Sequence, residues 1–141
     1  MKQITLDDYL MGRQRNNRAA FTALLADNAE QTVARVNLLL AAMQGDRVPI
    51  EDHPEHGSPV SSGWRTLAVN AATPGAAPRS KHLTCEACDL FDPDGLLDDW
   101  CIANQDTLMD LRLWLEHPSA TKGWCHVQIV APQSGRRVFY P

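Results

Sequence analysis

The fold is organised by residues 60–89, which read VSSGWRTLAVNAATPGAAPRSKHLTCEACD, and by Trp124-Cys125-His126 farther along the chain. These segments contain His82, Asp89 and His126, residue types that bind zinc in proteins. The first two are seven positions apart, and the third comes from a separate segment. Catalytic zinc usually has three protein ligands and one position open to water. The pattern therefore predicts a site for one zinc ion that is assembled by the fold, unlike a self-contained zinc finger.

Side-chain alternation in two predicted strands favours the same site. Residues 124–130 are predicted to be a strand from their length and β-branched content, and residues 85–90 are a second candidate. Because alternate residues of a strand share a face, Asp89 and His126 are expected to point into one cleft from neighbouring strands. His82 stands just before its strand, where a loop residue can cover that cleft. From spacing alone two alternatives stay open: His126 is a structural histidine, and Asp89 caps the turn at residues 92–95.

The N-terminal part of the chain is predicted to be helical. Thr5 and Asp8 match the start of a helix. Residues 18–43 carry apolar side chains at steps of three and four, which predicts a long helix that packs against a core, and Gly45 is its expected end.

The remaining elements are short and are separated by loops. The sequence predicts a strand at 60–61, a helix at 66–72, a long helix at 96–116 that Pro118 ends, and an edge strand at 136–140. Loops are predicted at 44–59 and 73–78. This order predicts an α+β fold with N-terminal helices packed on a small, mostly antiparallel sheet that carries a zinc cleft. We expect one domain over 1–141, with a helical part at 1–45 and a catalytic core at 60–141.

Charge and hydropathy argue against several classes of partner. Lys and Arg number 13 and Asp and Glu 17, a net charge of −4, so neither nucleic acid nor an anionic membrane surface is expected as a partner. No apolar run is long enough for stable membrane insertion. The N-terminus lacks the apolar segment of a signal peptide, so synthesis in the cytoplasm is expected. The four cysteines are accordingly expected to be free thiols.

The segments that carry the ligand candidates resemble a family of zinc peptidases. The matching residues are Ser62-Gly63-Trp64-Arg65, Asn70, Ser80-Lys81-His82-Leu83-Thr84-Cys85-Glu86-Ala87-Cys88-Asp89 and Trp124-Cys125-His126-Val127. In this order they are similar to the zinc D-alanyl-D-alanine carboxypeptidase family, which includes the vancomycin-resistance dipeptidases and the L-alanyl-D-glutamate endolysins of phages. The resemblance covers residues 60–130, about half of the chain. Residues 9–13 and 36–39 also resemble the leader of small phage or prophage versions.

The resemblance implies a role for each matching position. His82, Asp89 and His126 would be the ligands of one Zn²⁺ ion, which lowers the pKa of a bound water to about 7. Arg65 would polarise the scissile carbonyl and stabilise the oxyanion that forms during attack. Ser80 would bind the substrate peptide by hydrogen bonding.

Three positions depart from the family pattern. Cys85 stands where the pattern has glycine, so the backbone of that segment is expected to differ. Gln128 replaces an aspartate that relatives often carry, a change expected to affect the strand surroundings more than ligation. Gly123 stands three residues before His126, where relatives carry the general base.

Glu116 is the candidate that would replace the missing base. It lies at the end of the predicted long helix, next to His117 and a short loop before Trp124. A glutamate there can take a proton from water at the metal. A solvated acid at a helix end is the alternative interpretation.

Two further interpretations compete with a catalytic zinc site. Cys85 and Cys88, together with His82 and His126, offer a closed Cys2His2 structural zinc site, and a zinc knuckle of that kind would be the route to a nucleic-acid role. The empty base position at Gly123 favours a zinc-containing binding or structural protein that has the fold but no turnover.

The resemblance predicts hydrolysis of a peptide bond in peptidoglycan stem peptides by zinc-activated water. It implies a phage or prophage lysis enzyme that is made in the cytoplasm and acts in the periplasm or cell wall after release. We expect the loops at 44–59 and 73–79 to shape the pocket that selects the bond.

Overall fold

A computed structural model describes residues 1–141, which form five α-helices and one five-stranded sheet. The helices are α1 (Leu6–Leu10), α2 (Ala23–Gly45), α3 (Leu67–Ala72), α4 (Leu96–Ala103) and α5 (Gln105–Asp110). The strands are β1 (Val60–Ser62), β2 (Ala87–Asp92), β3 (Trp114–Glu116), β4 (Gly123–Gln128) and β5 (Val138–Phe139). They lie in the order β1-β2-β4-β3-β5, and only the β3–β5 pair is parallel. The predicted α+β fold with a small, mostly antiparallel sheet is confirmed.

Side-chain caps define where the first two helices begin. Thr5 and Asp8 form a reciprocal capping box at the start of α1, as the sequence predicts. The hydroxyl of Thr22 accepts a hydrogen bond from the Leu25 backbone N–H, so α2 begins at Ala23 and not at residue 18. Helix α2 extends through Gly45, the residue expected to end it.

One face of α2 supplies the core that carries the sheet. The buried residues of this helix recur at three- and four-residue steps: Ala29, Thr32, Val36, Leu39, Leu40 and Met43. The Thr32 hydroxyl donates to the Cys85 carbonyl at 2.7 Å, and the Tyr9 hydroxyl of α1 donates to the Ala87 carbonyl at 2.7 Å. Both bonds fasten an N-terminal helix to the chain entering β2. Burial of each large apolar side chain contributes about 1.5–3 kcal/mol, so this face anchors the sheet.

The predicted long helix at 96–116 is divided in two at Asn104 and is wrong from residue 111 onward. Helix α4 ends at Ala103, α5 ends at Asp110, and Arg112 adopts a left-handed conformation with φ 54° that stops helical continuation. After it, Leu113 and Leu115 are buried while Trp114 between them is partly exposed. This period of two is that of a strand, and it places Glu116 at the end of β3.

Strand β2 begins two residues later than predicted. Cys85 has φ 58°, a left-handed conformation that glycine adopts most easily. The chain therefore turns at Cys85 as a glycine would allow, and the pairing with β4 starts at Ala87.

Asp92, and not Asp89, caps the turn that follows β2. The two carboxylate oxygens of Asp92 accept from the backbone N–H groups of Leu97 and Asp98, each at 3.0 Å. Asp89 is thereby left for the cleft.

No helix of the chain has the length and apolar character needed to cross a membrane.

Candidate metal centre

The polar centre of the molecule is a row of residues that crosses the sheet from edge to edge. Ser62 of β1 pairs with Asp89 of β2, and Asp89 pairs with His126 of β4. On the far side Glu116 of β3 pairs with Phe139 of β5. The β3–β4 register places Glu116 beside His126 and so completes the row. Lateral neighbours on one face lie about 4.5–5.5 Å apart at Cβ, so these side chains meet.

Strand alternation separates this polar row from the core. Asp89 and His126 face the cleft, as the sequence predicts, whereas Leu90, Cys125 and Val127 are fully buried on the opposite face. In β2 and β4, one set of alternate residues therefore lines the cleft, and the other set packs in the core.

His82 reaches the row from the loop that precedes β2. Its Nδ1 lies 2.8 Å from the Gly63 carbonyl, and its backbone N–H donates to the Ser80 hydroxyl at 3.2 Å. The Arg65 backbone N–H donates to the His82 carbonyl at 3.1 Å. These three bonds fix both the loop and the imidazole ring.

The tautomer of His82 follows from its partner. A carbonyl only accepts, so Nδ1 of His82 carries the proton and Nε2 presents a lone pair. Nε2 is buried without a hydrogen bond, although it lies 3.2 Å from Asp89 Oδ1. Burial lowers the pKa of His82, against the effect of Asp89, so a second proton is disfavoured. A lone pair and a carboxylate oxygen face each other, an arrangement that a cation between them stabilises.

His126 repeats this arrangement with its other ring nitrogen. The Gln128 amide nitrogen donates to the Val130 carbonyl at 2.9 Å, which turns the Gln128 oxygen toward His126 Nε2 at 3.0 Å. In the neutral ring Nε2 is then the donor, and Nδ1 presents its lone pair 2.8 Å from Asp89 Oδ1. Gln128 was expected to affect mainly the strand surroundings, and its side chain contacts a candidate ligand, His126, directly. The sequence indicates this contact, because residues 126 and 128 of one strand share a face.

The three donors have the spacing that a small divalent metal requires. The ligand atoms of His82, Asp89 and His126 all lie within 4.8 Å of one another, and all three residues are buried. A tetrahedral ion with bonds of about 2.1 Å has ligands about 3.4 Å apart. Two nitrogens and a carboxylate oxygen match the donors that zinc prefers. The orphaned His82 Nε2 therefore fits a metal site.

Asp89 is the anionic centre of the cluster. Burial alone favours its neutral form, but His82 and His126 oppose this and hold the pKa of the carboxyl well below its usual range. Burial acts against the charged form of His126, but its hydrogen bond with Asp89 and the negative charge of Asp89 raise its pKa. Oδ1 faces the two histidines, and Oδ2 faces Arg65 at 3.4 Å.

Arg65 is buried beside the cluster and is held on three sides. Its Nε donates to the Ser62 hydroxyl at 2.9 Å, Nη1 to the Asn70 amide oxygen at 3.3 Å, and Nη2 to Asp89. Asn70 also donates to the Ala77 carbonyl at 2.9 Å, which ties α3 to the following loop. Arg65 still lines the cleft, with guanidinium N–H groups beyond those three bonds.

Glu116 reaches the cleft from the end of strand β3, and not from the end of a helix as the sequence predicts. Its Oε2 is 3.8 Å from His126 Nδ1, the nitrogen that faces the metal position. Burial raises the pKa of Glu116, while the nearby His126 acts in the opposite direction. It is thus a partly buried carboxylate beside the ligand cluster.

Gly123 has a backbone conformation that explains the lack of a side chain there. Its φ is 98°, a region that residues with a Cβ rarely adopt, although the space around it is open. A carboxylate at this position would strain the start of β4. Glu116, from the neighbouring strand, is the one carboxylate side chain besides Asp89 that lines the cleft.

The cysteines do not join the cluster. All four are free and buried, and Cys88 lies on the face of β2 opposite Asp89. The single group of metal-binding side chains contains neither Cys85 nor Cys88. The Cys2His2 arrangement is therefore not formed.

A cleft of about 1030 Å³ lies over the polar row. Both loops that the sequence singled out contribute to its walls, through His53 and through residues 73–77. Ser80, Arg65 and Glu116 also line it, so the residues with predicted substrate contacts share one space.

The chain matches the model of one known family. A family model described as Peptidase M15 matches residues 20–112, which include Arg65, His82 and Asp89 and end before Glu116 and His126. No curated protein and no solved structure matches the chain.

Proposed function

Because the chain belongs to the peptidase M15 family of metal-dependent peptidases, we propose that it is a zinc-dependent peptidase that hydrolyses a peptide bond in peptidoglycan stem peptides. The observation that carries the proposal is the convergence of two imidazole lone pairs on one carboxylate oxygen, at 3.2 and 2.8 Å. A donor set of this kind is unfavourable without a cation.

The proposed ligands are His82 through Nε2, His126 through Nδ1 and Asp89 through its carboxylate. Gly63 and Gln128 accept the second N–H of each ring and so orient the ligands. Bound zinc would supply Lewis acidity and an acidified water for attack on the peptide carbonyl.

The remaining roles fall to side chains of the chain itself. Glu116 would accept the proton of the attacking water and pass it to the leaving amine. Arg65 would direct its free N–H groups toward the carbonyl oxygen and stabilise the negative charge that develops there. Ser80 would hold the peptide by a hydrogen bond at the edge of the cleft.

We place the enzyme in phage or prophage lysis, with action in the periplasm or cell wall after release. The support is the resemblance of residues 9–13 and 36–39 to the leader of small phage or prophage versions, beside the resemblance of residues 60–130 to the family as a whole. Expression in a bacterial cytoplasm should leave cells intact, and co-expression with a pore-forming membrane protein should lyse them. Intact cells under both conditions would contradict this setting.

The metal is tested by titration of the purified apoprotein. We expect one zinc ion per chain, and His82→Ala or His126→Ala should abolish tight binding. His53→Ala is the matched control, because His53 lines the same cleft and lies outside the ligand cluster. Equal zinc affinity in all four proteins would contradict the ligand assignment.

The reaction is tested by mass spectrometry of peptidoglycan fragments after digestion. Cleavage within stem peptides that chelator abolishes and zinc restores is the expected result. Stoichiometric zinc without cleavage of any fragment would favour the alternative, a binding protein with this fold. The observation that favours this alternative is Gly123, a glycine with positive φ at the position where relatives carry the general base.

A further inference from the structure

The backbone from Gly63 to Arg65 contains two peptide units, and each of them connects His82 with the N-terminal segment. In the first unit, the Gly63 carbonyl accepts from Nδ1 of His82 at 2.8 Å. The other end of this unit is the Trp64 N–H, which donates to the Tyr9 carbonyl at 3.2 Å. The bond that orients the His82 ring is therefore supported from behind by the end of α1.

The second peptide unit connects His82 with Arg13 in the same way. Its N–H, that of Arg65, donates to the His82 carbonyl at 3.1 Å. Its carbonyl, that of Trp64, accepts from Arg13 Nη1 at 2.5 Å. Because a hydrogen bond at one end of a peptide group polarises the other end, the charged donor of Arg13 strengthens the N–H that ties Arg65 to His82.

Two consecutive left-handed residues bring Arg13 to this carbonyl. Met11 has φ 57° and Gly12 has φ 75°, so the chain turns after α1 and enters a 3₁₀ turn at Arg13–Asn16. This conformation is unfavourable for a methionine. The Met11 sulfur accepts from the Gly63 N–H at 3.4 Å, so the strained residue also contacts the backbone before Arg65.

An ion pair does not account for the position of Arg13. No carboxylate forms a salt bridge with its guanidinium group. Burial lowers the pKa of Arg13, and the like charge of Arg65 lowers it further. Two cations placed close together are unfavourable for folding, but they favour negative charge that develops in the cleft beside Arg65.

We propose that Arg13 is a positioning residue for the peptidase reaction, which holds the Trp64 carbonyl and thereby fixes the backbone from which Arg65 reaches the cleft. The inference rests on the proposed peptidase function. Arg13 does not line the cleft, so it acts through Arg65 and not on the substrate. The His82 ring depends on the other peptide unit, which Tyr9 supports, so loss of the Arg13 side chain should leave zinc binding intact.

The kinetic test compares Arg13→Met with Arg15→Met in the zinc-loaded full chain. Methionine keeps an unbranched stem but has no donor, and Arg15 is an exposed arginine of the same 3₁₀ turn. For a defined stem peptide, Arg13→Met should lower kcat about 10–100-fold, because a displaced catalytic group loses that much rate. KM and zinc affinity should stay within a few-fold, and Arg15→Met should change none of the three.

Arg13→Lys provides the rescue, because it restores a charged donor and should recover most of the lost kcat. Equal kcat in Arg13→Met and Arg15→Met would overturn the proposal. So would a joint loss of kcat and zinc affinity in Arg13→Met that Arg13→Lys does not recover, since that result indicates a general loss of structure.

A measurement without turnover separates this inference from the proposed function. Arg65 Nε–H donates to the Ser62 hydroxyl at 2.9 Å, so its NMR signal reports how the guanidinium is oriented. The signal should shift in Arg13→Met and stay in place in Arg15→Met. An unchanged signal in Arg13→Met would overturn the role of Arg13. An unmodified protein that binds zinc but cleaves no stem peptide would contradict the proposed function, and the signal would still decide whether Arg13 orients Arg65.

Discussion

Glu116 and His126 are neighbours on adjacent strands, with 3.8 Å between Oε2 of the glutamate and Nδ1 of the histidine. The strand pairing that joins β3 to β4 produces this contact, so the carboxylate is held by the sheet and not by a mobile loop. Asp89, on the other neighbouring strand, approaches the same nitrogen, with its Oδ1 2.8 Å from Nδ1. One imidazole nitrogen thus faces two carboxylates, of which Asp89 is close and Glu116 is at a distance that a water can bridge.

Glu116→Gln should lower kcat about 10²–10⁴-fold, because the amide has the shape of the carboxylate but cannot accept a proton. Zinc affinity should stay within a few-fold, since Glu116 is not one of the clustered ligands. Kinetics on a defined stem peptide and a zinc competition titration provide the two measurements. Glu86→Gln is the control, a carboxylate outside the cleft. Peptidase activity within a few-fold of the unmodified protein would remove Glu116 from the mechanism.

Gln128→Leu should weaken zinc binding about 10–100-fold, because His126 Nε2 loses the acceptor that orients its ring. Gln128→Glu keeps an oxygen acceptor and should retain affinity within a few-fold. Competition with a chromogenic chelator measures both constants. Gln133→Leu serves as the control, because Gln133 is an exposed amide at the same end of the cleft. If Gln128→Leu binds zinc as tightly as the unmodified protein, Gln128 does not position the ligand.

Local patterns in the sequence were sufficient to predict the components of the site. Strand alternation predicts that Asp89 and His126 face one cleft, and the capping pattern at Thr5 marks a real helix start. The helix predicted at 66–72 also forms, with Thr66 as its N-cap. The ligand cluster itself depends on which strands are neighbours, and the chain order does not state this. Strand β3 lies between β4 and β5, and its pairing with β4 brings Glu116 to His126. No turn signal in the sequence indicates this pairing.

The errors have physical causes in single residues. Helical periodicity from Leu97 onward persists through Leu115, and the left-handed Arg112 that breaks it belongs to a residue type with no preference for that conformation. Cys85 likewise turns the chain where glycine would be expected. In both cases tertiary packing of the flanking segments outweighs local preference.

Gly63→Ala should destabilise the fold by about 3 kcal/mol or more, because an added Cβ would lie 1.7 Å from the Tyr9 carbonyl oxygen. The Trp64 N–H donates to that carbonyl at 3.2 Å, so α1 and the segment before Arg65 cannot separate without losing a bond. Zinc affinity should fall as well, since the Gly63 carbonyl orients His82. Chemical unfolding of the apoprotein measures the first effect. Gly45→Ala, with no atom within 4 Å of its added Cβ, should change stability by less than about 1 kcal/mol. Equal stability of the two variants would contradict the predicted clash.

Asp98 should make the fold less stable as the pH rises. It is 3 % exposed, its Oδ1 has no hydrogen-bond partner, and burial raises its pKa from 3.8 to about 7. Between these two values the folded state holds the proton more tightly than the unfolded chain, so the contribution of Asp98 to stability is present at low pH and is lost as the pH rises through that window. Asp98→Asn cannot titrate and should escape this loss. From pH 5 to pH 8 its free energy of unfolding should therefore increase relative to that of the unmodified protein, by about 1–3 kcal/mol.

Asp99→Asn, at the exposed neighbouring position in the same helical turn, should follow the unmodified protein in denaturant titrations at both pH values. Parallel stability curves for Asp98→Asn and the unmodified protein would show that Asp98 is ionised in the folded state throughout this range.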